Sequence, residues 1–220
     1  MKVTKSTPSP LARTAAMLHS TQRFLDSLDR TNSELQFSKL PLVTQAQLER
    51  LWGILYSDKG RKNVPASDGI WSNPLLPGDS IWIPDSSIVP SDKGYSNMLN
   101  KTWSTILSEN HIQGIPFSNG WPDFECISKA SVSFDWEQAL GEDRLRRFAE
   151  GERSQLHDVA FRLLSIKRHE SIEMTIAWKE KENLVWHENQ DCQSVLLVPR
   201  EVHDNIKHIG GRSMLQVILG

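Results

Sequence analysis

The sequence predicts an α+β protein with a mainly helical N-terminal part, an irregular Trp- and Pro-rich middle, and a C-terminal strand–turn–strand–helix unit. Three observations support this fold class. Apolar residues recur at helical spacing in the N-terminal part. Residues 61–94 contain five prolines and three glycines without a helical period, a density that regular elements do not tolerate. Near the C-terminus, two apolar runs flank a polar turn and precede a short helical pattern.

Composition and charge are those of a soluble globular protein. The chain has 220 residues, of which 38% are hydrophobic and 24% charged, and its formal net charge is -2. From Arg144 to the C-terminus, twelve Lys/Arg face eleven Asp/Glu. Any nucleic-acid-binding face must therefore be local, and this balance counts against a nuclease.

Cysteine usage and hydropathy limit the compartment. Two cysteines, Cys126 and Cys192, are too few for a disulfide framework and lack zinc-site spacing, so we expect free buried thiols in a reduced compartment. No apolar run approaches the roughly 18 residues of a membrane helix. The N-terminus lacks the apolar core of a secretory signal.

The N-terminal part is predicted to contain two helices. Residues 1–10 are rich in Ser, Thr, Pro and Lys and are expected to be disordered. Residues 11–35 have the apolar face of a helix. Thr44 and Gln47 form a capping-box pattern before a short helix that ends near Gly60.

The middle of the chain mixes irregular and regular segments. Within the irregular segment only residues 81–83 are expected to form a strand, and a substrate-contacting loop is the alternative to a simple structural wrap. Residues 95–109 predict a helix, and alternating apolar residues at 132–136 predict a strand.

Two charged helices follow. Residues 137–150 and residues 157–168 are predicted to be helical. Their basic residues are expected to lie on a solvated face, with a phosphate-contacting patch as the alternative. His19, His157 and His169 lie outside any pattern, and no functional role is predicted for them.

The strongest chemical pattern lies in two predicted strands near the C-terminus. The apolar run at residues 184–186 favours a strand, with His187 and Glu188 at or just past its end. Residues 189–191 predict a turn. The apolar run at residues 195–198 predicts a second, buried strand.

A helix is expected to begin after Pro199 and to run to about residue 209. His203 and His208 are five residues apart, a separation that rotates them by about 140° on a helix. Both can reach one ion only if the helix is short and His208 lies at or beyond its end. Gly210-Gly211 supplies that stop.

His187, His203 and His208 form a candidate metal site. Three neutral imidazoles can hold one divalent ion, Mg, Mn, Ni or Zn, and leave positions open for phosphate and water. Such an ion neutralises the charge that develops in phosphodiester hydrolysis. Glu188 can act as the base that takes a proton from water, or as a further ligand.

The pattern resembles the HNH/endonuclease VII superfamily, in particular the bacterial polymorphic-toxin branch named for a Trp-His-His motif. The resemblance covers roughly residues 114–214 and is specific only in residues 184–211. The matching residues are Val185-Trp186-His187, Leu197-Val198-Pro199, His203, His208-Ile209-Gly210-Gly211 and the upstream element Gly120-Trp121-Pro122-Asp123-Phe124.

The resemblance implies a treble-clef-like ββα-metal core in which the three histidines are ligands. The family has histidine where this chain has Glu188, so Glu188 takes the position of the general base. The central Asn of the family, which braces the loop between the strands, has its nearest counterpart in Gln193. The residues expected to contact phosphate are Arg200, Lys207 and Arg212.

The resemblance also implies a division of labour along the chain. Residues 1–38 would be a flexible or helical docking segment, residues 39–113 an accessory region, and residues 114–220 the nuclease domain. The expected substrate is DNA, with RNA as the alternative. A cognate immunity protein and a secretion component or chaperone are the implied partners. The protein would be a stand-alone effector made in the bacterial cytoplasm without a signal peptide, and exported to a target-cell cytoplasm.

Two other functions fit parts of the pattern. The near-neutral charge and Glu188 favour a catalytically weak or inactive HNH-fold protein that binds nucleic acid or another protein. A phage or restriction-type HNH endonuclease is the weaker alternative, because such enzymes usually carry a basic DNA-binding segment that the sequence lacks.

Overall fold

The computed structural model describes residues 9–26, 45–57, 60–90 and 100–220. The predictions for residues 1–8, the second half of the first helix, the Thr44 cap, the docking segment beyond residue 26 and the helix start at residues 95–99 lie outside these ranges. Both helices and antiparallel sheets are present, so the α+β prediction is confirmed.

Groups of helices and groups of strands follow one another along the described chain. The helices are α1 (Pro10–Asp26), α2 (Gln45–Leu55), α3 (Trp103–Glu109), α4 (Trp136–Leu140), α5 (Glu142–Glu150), α6 (Ser154–Arg168), α7 (Ile172–Lys181), α8 (Arg200–His203) and α9 (Gly211–Leu219). The strands are β1 (Tyr56–Ser57), β2 (Gly60–Arg61), β3 (Gly69–Trp71), β4 (Ile81–Pro84), β5 (Ile115–Ser118), β6 (Trp121–Pro122), β7 (Ala130–Ser133), β8 (Leu184–Glu188) and β9 (Ser194–Pro199).

A three-stranded antiparallel sheet with the order β7-β9-β8 lies at the centre. Its middle strand, β9, is the predicted apolar run, and it is buried on both faces. Val195 and Leu197 point into one hydrophobic core, whereas Leu196 and Val198 point into the other. Because side chains alternate along a strand, a continuous apolar run requires two cores.

The two cores have different covers. The first core is packed mainly by helices, with Leu18, Leu51, Phe148 and Leu215 among its members. The second core is packed by a four-stranded sheet of order β3-β4-β5-β6 and by α3, with Trp82 and Trp103 in edge-to-face contact at 5.7 Å. The nuclease domain was predicted to begin at residue 114. β4, which precedes that boundary, pairs with β5, which follows it.

The irregular middle segment is more regular than predicted. The strand at residues 81–83 is confirmed within β4, but β3 pairs with it in an antiparallel hairpin that the sequence did not suggest. Gly69 makes this close pairing feasible, because a β-carbon there would lie 2.6 Å from the carbonyl oxygen of Ile83. Short paired strands can therefore sit among prolines when a glycine removes the steric conflict.

Helix boundaries differ from the predictions at capping residues. The single helix expected over residues 137–150 is broken by Gly141, whose φ is 75°. Trp136 belongs to α4 rather than to a strand, since the Asp135 side chain accepts a hydrogen bond from the backbone of Gln138 and starts that helix. In the part of the chain that the structure describes, no helix is long and apolar enough to cross a membrane.

The described N-terminal helices pack on the C-terminal helix α9, and α1 also contacts α4. The backbone N–H of Leu11 donates to Glu137 Oε2 at 3.2 Å, and Arg50 Nη1 donates to the carbonyl of Val217 at 3.2 Å. α1 and α2 thus contribute to the helical core that supports one face of the central sheet.

Candidate metal centre and adjoining cavity

Strand β8, strand β9 and helix α8 form an antiparallel hairpin followed by a single helical turn. The prediction that this helix runs to residue 209 is wrong, because α8 ends at His203. His208 therefore lies in the loop beyond the helix, as its five-residue separation from His203 requires if both are to reach one ion. Glu201 ties the short helix to the second core, since its carboxylate contacts Lys101 Nζ at 2.9 Å and Asn110 Nδ2 at 3.4 Å.

The three predicted ligand histidines converge. One ring nitrogen from each of His187, His203 and His208 lies within 4.8 Å of the other two. His203 Nε2 is 3.4 Å from His187 Nδ1 and 3.2 Å from His208 Nε2. In the described parts of the chain, this is the group of histidine, cysteine and carboxylate side chains that has the spacing of a metal site.

Hydrogen bonds orient two of these imidazoles. His203 Nδ1 lies 2.8 Å from Asp204 Oδ1, and His208 Nδ1 lies 2.7 Å from the carbonyl of Ile206. In each case the acceptor selects the Nδ1–H tautomer and leaves the Nε2 lone pair facing the other rings. His187 Nε2 is buried and has no hydrogen-bond partner.

Phe124 forms the floor of the histidine cluster. Its ring centroid lies 4.8 Å from that of His187, 5.6 Å from that of His203 and 5.1 Å from that of His208. Phe124 is fully buried in the second core. The Pro-Asp-Phe element thus has a physical role, because it limits the rotation of all three rings.

Burial keeps two of the three imidazoles, His187 and His208, neutral. Desolvation, together with the neighbouring His208 and His203, places the pKa of His187 well below its ordinary value. Burial and the neighbouring His203 lower the pKa of His208 to about 3. Neutral imidazoles at physiological pH are the protonation state that ligates a metal ion.

Gly210 and Gly211 permit a close approach rather than a helix stop. A β-carbon on Gly210 would lie 2.7 Å from the carbonyl oxygen of Glu188 and 3.3 Å from His187 Cε1. A β-carbon on Gly211 would collide with Asn189 and lie 2.7 Å from Trp136 Cη2. The glycine pair therefore lets the start of α9 pack directly against the end of β8.

Glu188 lies within β8 and faces away from the histidine cluster. Strand alternation directs His187 toward Phe124, and directs Glu188 toward α6. There Glu188 Oε1 meets His157 Nε2 at 2.8 Å and Arg153 Nε at 4.0 Å. His157, for which the sequence predicted no role, is thus part of the site.

His157 on α6 and Arg153 just before it keep the Glu188 carboxylate ionised. Burial raises the pKa of Glu188, but the His157 hydrogen bond and the Arg153 charge lower it more, and the net pKa lies below the ordinary value. A buried carboxylate without such partners would instead retain its proton at neutral pH. The spacing of Arg153 and His157, one helical turn apart, was the only sequence signal, and it does not indicate the partner.

The turn between β8 and β9 is braced by Asp191 and Asn189. Asp191 Oδ1 accepts hydrogen bonds from the backbone N–H groups of Gln193 and Ser194, each at 2.9 Å, and Asn189 Nδ2 donates to Ser194 Oγ at 2.8 Å. Gln193, predicted as the brace, takes part through its backbone only. The structure gives the bracing role to its neighbours, because their shorter side chains reach the backbone of the turn.

A cavity of about 310 Å³ opens beside the histidine cluster. Its lining residues are Arg153, His187, Glu188, His203, His208, Ile209, Gly210, Arg212, Ser213 and Gln216. The three histidines and Glu188 therefore share one space despite facing different sides of the sheet.

Of the three residues predicted to contact phosphate, one lines the cavity and two do not. Arg212 lines the cavity, although its Nε and Nη2 atoms donate to the carbonyls of Ala149 and Glu150. Arg200 lies away from the cavity and contacts Asp204 at 3.5 Å. Lys207 is exposed and does not line the cavity.

Arg153 is the cationic cavity residue that the sequence did not suggest. It lines the cavity, and its side chain is 45% exposed. The cavity thus carries two guanidinium groups from different helices, of which Arg153 is the more accessible.

Comparison with known families matches this part of the chain. Residues 115–210 match the family described as the DNase/tRNase domain of colicin-like bacteriocin. The matched range contains the histidine cluster, Glu188 and α6. It supports a nuclease toxin domain, so the predicted nuclease is confirmed at this level. No curated protein and no solved structure matches the chain.

Proposed function

We propose that residues 114–220 form a metal-dependent endonuclease of the HNH type, Trp-His-His branch, that cleaves DNA. One observation carries the proposal: three imidazoles, two of them with a lowered pKa, converge beside an ionised carboxylate at the wall of an open cavity. The order strand, strand, helix agrees with the ββα-metal unit that the sequence predicted.

The donor set fits a divalent cation. His187 Nδ1 and His208 Nε2 both face His203 Nε2, at 3.4 Å and 3.2 Å, and no carboxylate of the described residues belongs to this group. His187, His203 and His208 would hold the ion. When bound, it would stabilise the negative charge that develops on the scissile phosphate.

Glu188 is the general base in this proposal. A water oxygen bonds to phosphorus, the carboxylate of Glu188 accepts the proton of that water, and the bond from phosphorus to the leaving sugar oxygen breaks. The leaving oxygen takes a proton from solvent. Glu188 suits this role because it lines the cavity and its lowered pKa keeps it unprotonated near neutral pH.

Arg153 and Arg212 supply the local positive charge that the whole chain lacks. Guanidinium groups bind phosphate oxygens in a planar, often bidentate geometry. Arg153 is accessible. Arg212 already donates to the carbonyls of Ala149 and Glu150, so it would bind phosphate through its remaining N–H groups. A near-neutral domain can therefore bind a phosphodiester at this one wall.

The proposed setting is antibacterial. A nuclease toxin requires a cognate immunity protein in the producing cell and export through a specialised secretion system, with a secretion component or chaperone as partner. It would then act in the cytoplasm of the target cell. RNA stays an alternative substrate, because the matched family is described as both DNase and tRNase.

Cleavage by the purified full-length protein tests the proposal. Supercoiled plasmid, single-stranded DNA and tRNA are incubated with Mg²⁺, Mn²⁺, Ni²⁺ or Zn²⁺, with a chelator, and with the His203→Ala variant. We expect metal-dependent nicking of plasmid by the wild type, and none with chelator or variant. Absence of cleavage with every metal would refute the nuclease function, and cleavage of tRNA alone would refute the choice of DNA.

A non-catalytic binding function is the second candidate. The burial of Glu188 and its bond to His157 favour it, since a carboxylate held in this way can serve structure alone. Tight metal binding with DNA binding, but without cleavage in the same assay, would support this alternative.

A further inference from the structure

His157 is an imidazole near the site that does not belong to the histidine cluster. It lies on α6, its Nε2 is 2.8 Å from Glu188 Oε1, and it is absent from the cavity lining. Its side chain is 22% exposed, whereas that of Glu188 is 6% exposed. His157 therefore contacts the carboxylate without lining the cavity itself.

The surroundings of His157 restrict its ring. Trp186, on the same face of β8 as Glu188, has its ring centroid 6.2 Å from that of His157, and Phe161 packs on Trp186 at 5.3 Å. Arg153, the residue just before α6, lies 4.0 Å from the same carboxylate oxygen. His157 thus contacts an oxygen of Glu188 by a hydrogen bond, and Arg153 adds a nearby positive charge.

We propose that His157 is a positioning residue that fixes the Glu188 carboxylate at the cavity wall, apart from the three ligand imidazoles. The inference rests on the proposed nuclease function. The hydrogen bond engages Oε1 of the carboxylate. Because the carboxylate is planar and rigid, fixing Oε1 also fixes the direction of Oε2. Glu188 does not belong to the group of side chains within metal-ligand distance of one another, as expected of a carboxylate held for proton transfer.

A purely structural role would have a different signature. If His157 only satisfied a buried carboxylate, its loss would lower stability and leave turnover unchanged in the folded protein. If it acts through Glu188, its loss lowers kcat in the folded, metal-loaded protein and leaves KM and metal affinity unchanged. A misplaced catalytic group costs about 100-fold in rate for a displacement near 1 Å.

The test compares three substitutions in the full-length protein. His157→Ala is expected to lower kcat by about 100-fold, with KM and the Zn²⁺ dissociation constant within about twofold of the wild type. His157→Gln places an amide N–H near the position of Nε2 and should recover at least about tenfold of that loss. His157→Asn, whose amide reaches only the position of Nδ1, should not. Asp158→Ala, on the exposed surface of α6, is the matched control and should behave like the wild type.

A double variant isolates the route of action. In the Glu188→Ala background, His157→Ala should cause no further loss of kcat, because the group that it positions is already absent. This background also removes the buried carboxylate, so the variant folds without an unpaired charge. Thermal unfolding and Zn²⁺ titration by calorimetry verify the folded, metal-binding state of each protein.

The outcomes separate the inference from the proposed function. Wild-type protein that never cleaves nucleic acid overturns both. An active wild type whose His157→Ala variant is equally active overturns only the inference. A loss of Zn²⁺ affinity in His157→Ala comparable to that in His203→Ala also overturns it, because His157 would then support the metal site itself.

Discussion

The last two residues of β8 face opposite sides of the sheet, and their environments favour opposite charge states: a neutral imidazole and an ionised carboxylate. His187 points into an apolar pocket floored by Phe124, where burial keeps imidazoles unprotonated. Glu188 points toward α6, where His157 and Arg153 keep a buried carboxylate ionised. Adjacent residues on one strand thus acquire two protonation states, a neutral imidazole and a charged carboxylate, which are those that the proposed ligand and base require.

The difference teaches that burial alone does not set the charge of a site. Desolvation disfavours the charged form of both groups. On the histidine face, burial together with His208, His203 and Arg153 lowers the pKa of His187. On the carboxylate face a hydrogen bond and a nearby cation outweigh desolvation. The partner supplied by each face decides the outcome.

Removal of a ligand on the histidine face should have the largest effect. His203→Ala removes the imidazole that contacts both other rings, so we expect metal affinity to fall by at least about 100-fold, and cleavage to disappear. Calorimetric Zn²⁺ titration and plasmid nicking measure the two effects. His169→Asn, an exposed left-handed position at the end of α6, is the control. Unchanged metal affinity in His203→Ala would show that the cluster is not a metal site.

Neutralisation of the carboxylate face should abolish turnover and spare the metal. Glu188→Gln keeps the shape of the side chain but cannot accept a proton, so kcat should fall by about 10²- to 10⁴-fold, the range for a general base. Single-turnover cleavage and Zn²⁺ titration separate the two faces. Turnover close to that of the wild type would exclude Glu188 as the base.

Loss of the hydrogen bond to His203 should weaken the histidine face by a smaller factor. Asp204 accepts from His203 Nδ1, and although burial raises the pKa of its carboxyl, that hydrogen bond lowers it to a net value below normal. Asp204→Ala should reduce metal affinity by about 10- to 100-fold. The affinity of Asp204→Asn should lie between those of the wild type and Asp204→Ala. Equal affinities in all three proteins would show that His203 is oriented by packing alone.

Acidification should destabilise the metal-free protein through the histidine face. The pKa of His208 is about 3 in the folded state, against 6.5 ordinarily, and that of His187 is also lowered. Between these values the unfolded chain binds more protons, so stability is full above pH 6.5 and falls as the pH drops. The limit is about 1.4 kcal/mol per pH unit for each histidine.

Urea unfolding of chelator-treated protein at pH 7 and pH 5.5 measures this dependence. A His208→Gln variant should show a shallower decline, because one of the two titrating groups is missing. A stability that is flat or rises over this range would contradict the neutral state of the cluster.

Local chemistry explains what could be predicted. Three histidines with fixed spacing, an apolar strand run and a glycine pair define the metal side, because each element lies within one continuous segment of the chain. The fold class follows from the same local patterns. His208 could be placed beyond the helix from its spacing to His203, although the actual end of α8 could not be located.

Non-local contacts explain what could not be predicted. His157 meets Glu188 only because α6 packs on the first core beside β8. β3 pairs with β4 because Gly69 permits it, and the turn is braced by Asp191 rather than Gln193. None of these pairings leaves a periodic trace in the sequence.

The sequence by itself determined the three imidazoles, the two-strand frame and the presence of a carboxylate next to the first imidazole. Only the tertiary structure decided which face that carboxylate occupies and which groups hold its charge. The physical reason is the distance along the chain over which each effect acts. Strand and helix periodicities act over a few residues, whereas the protonation state of a buried group depends on whatever side chains the fold brings within a few ångströms of it.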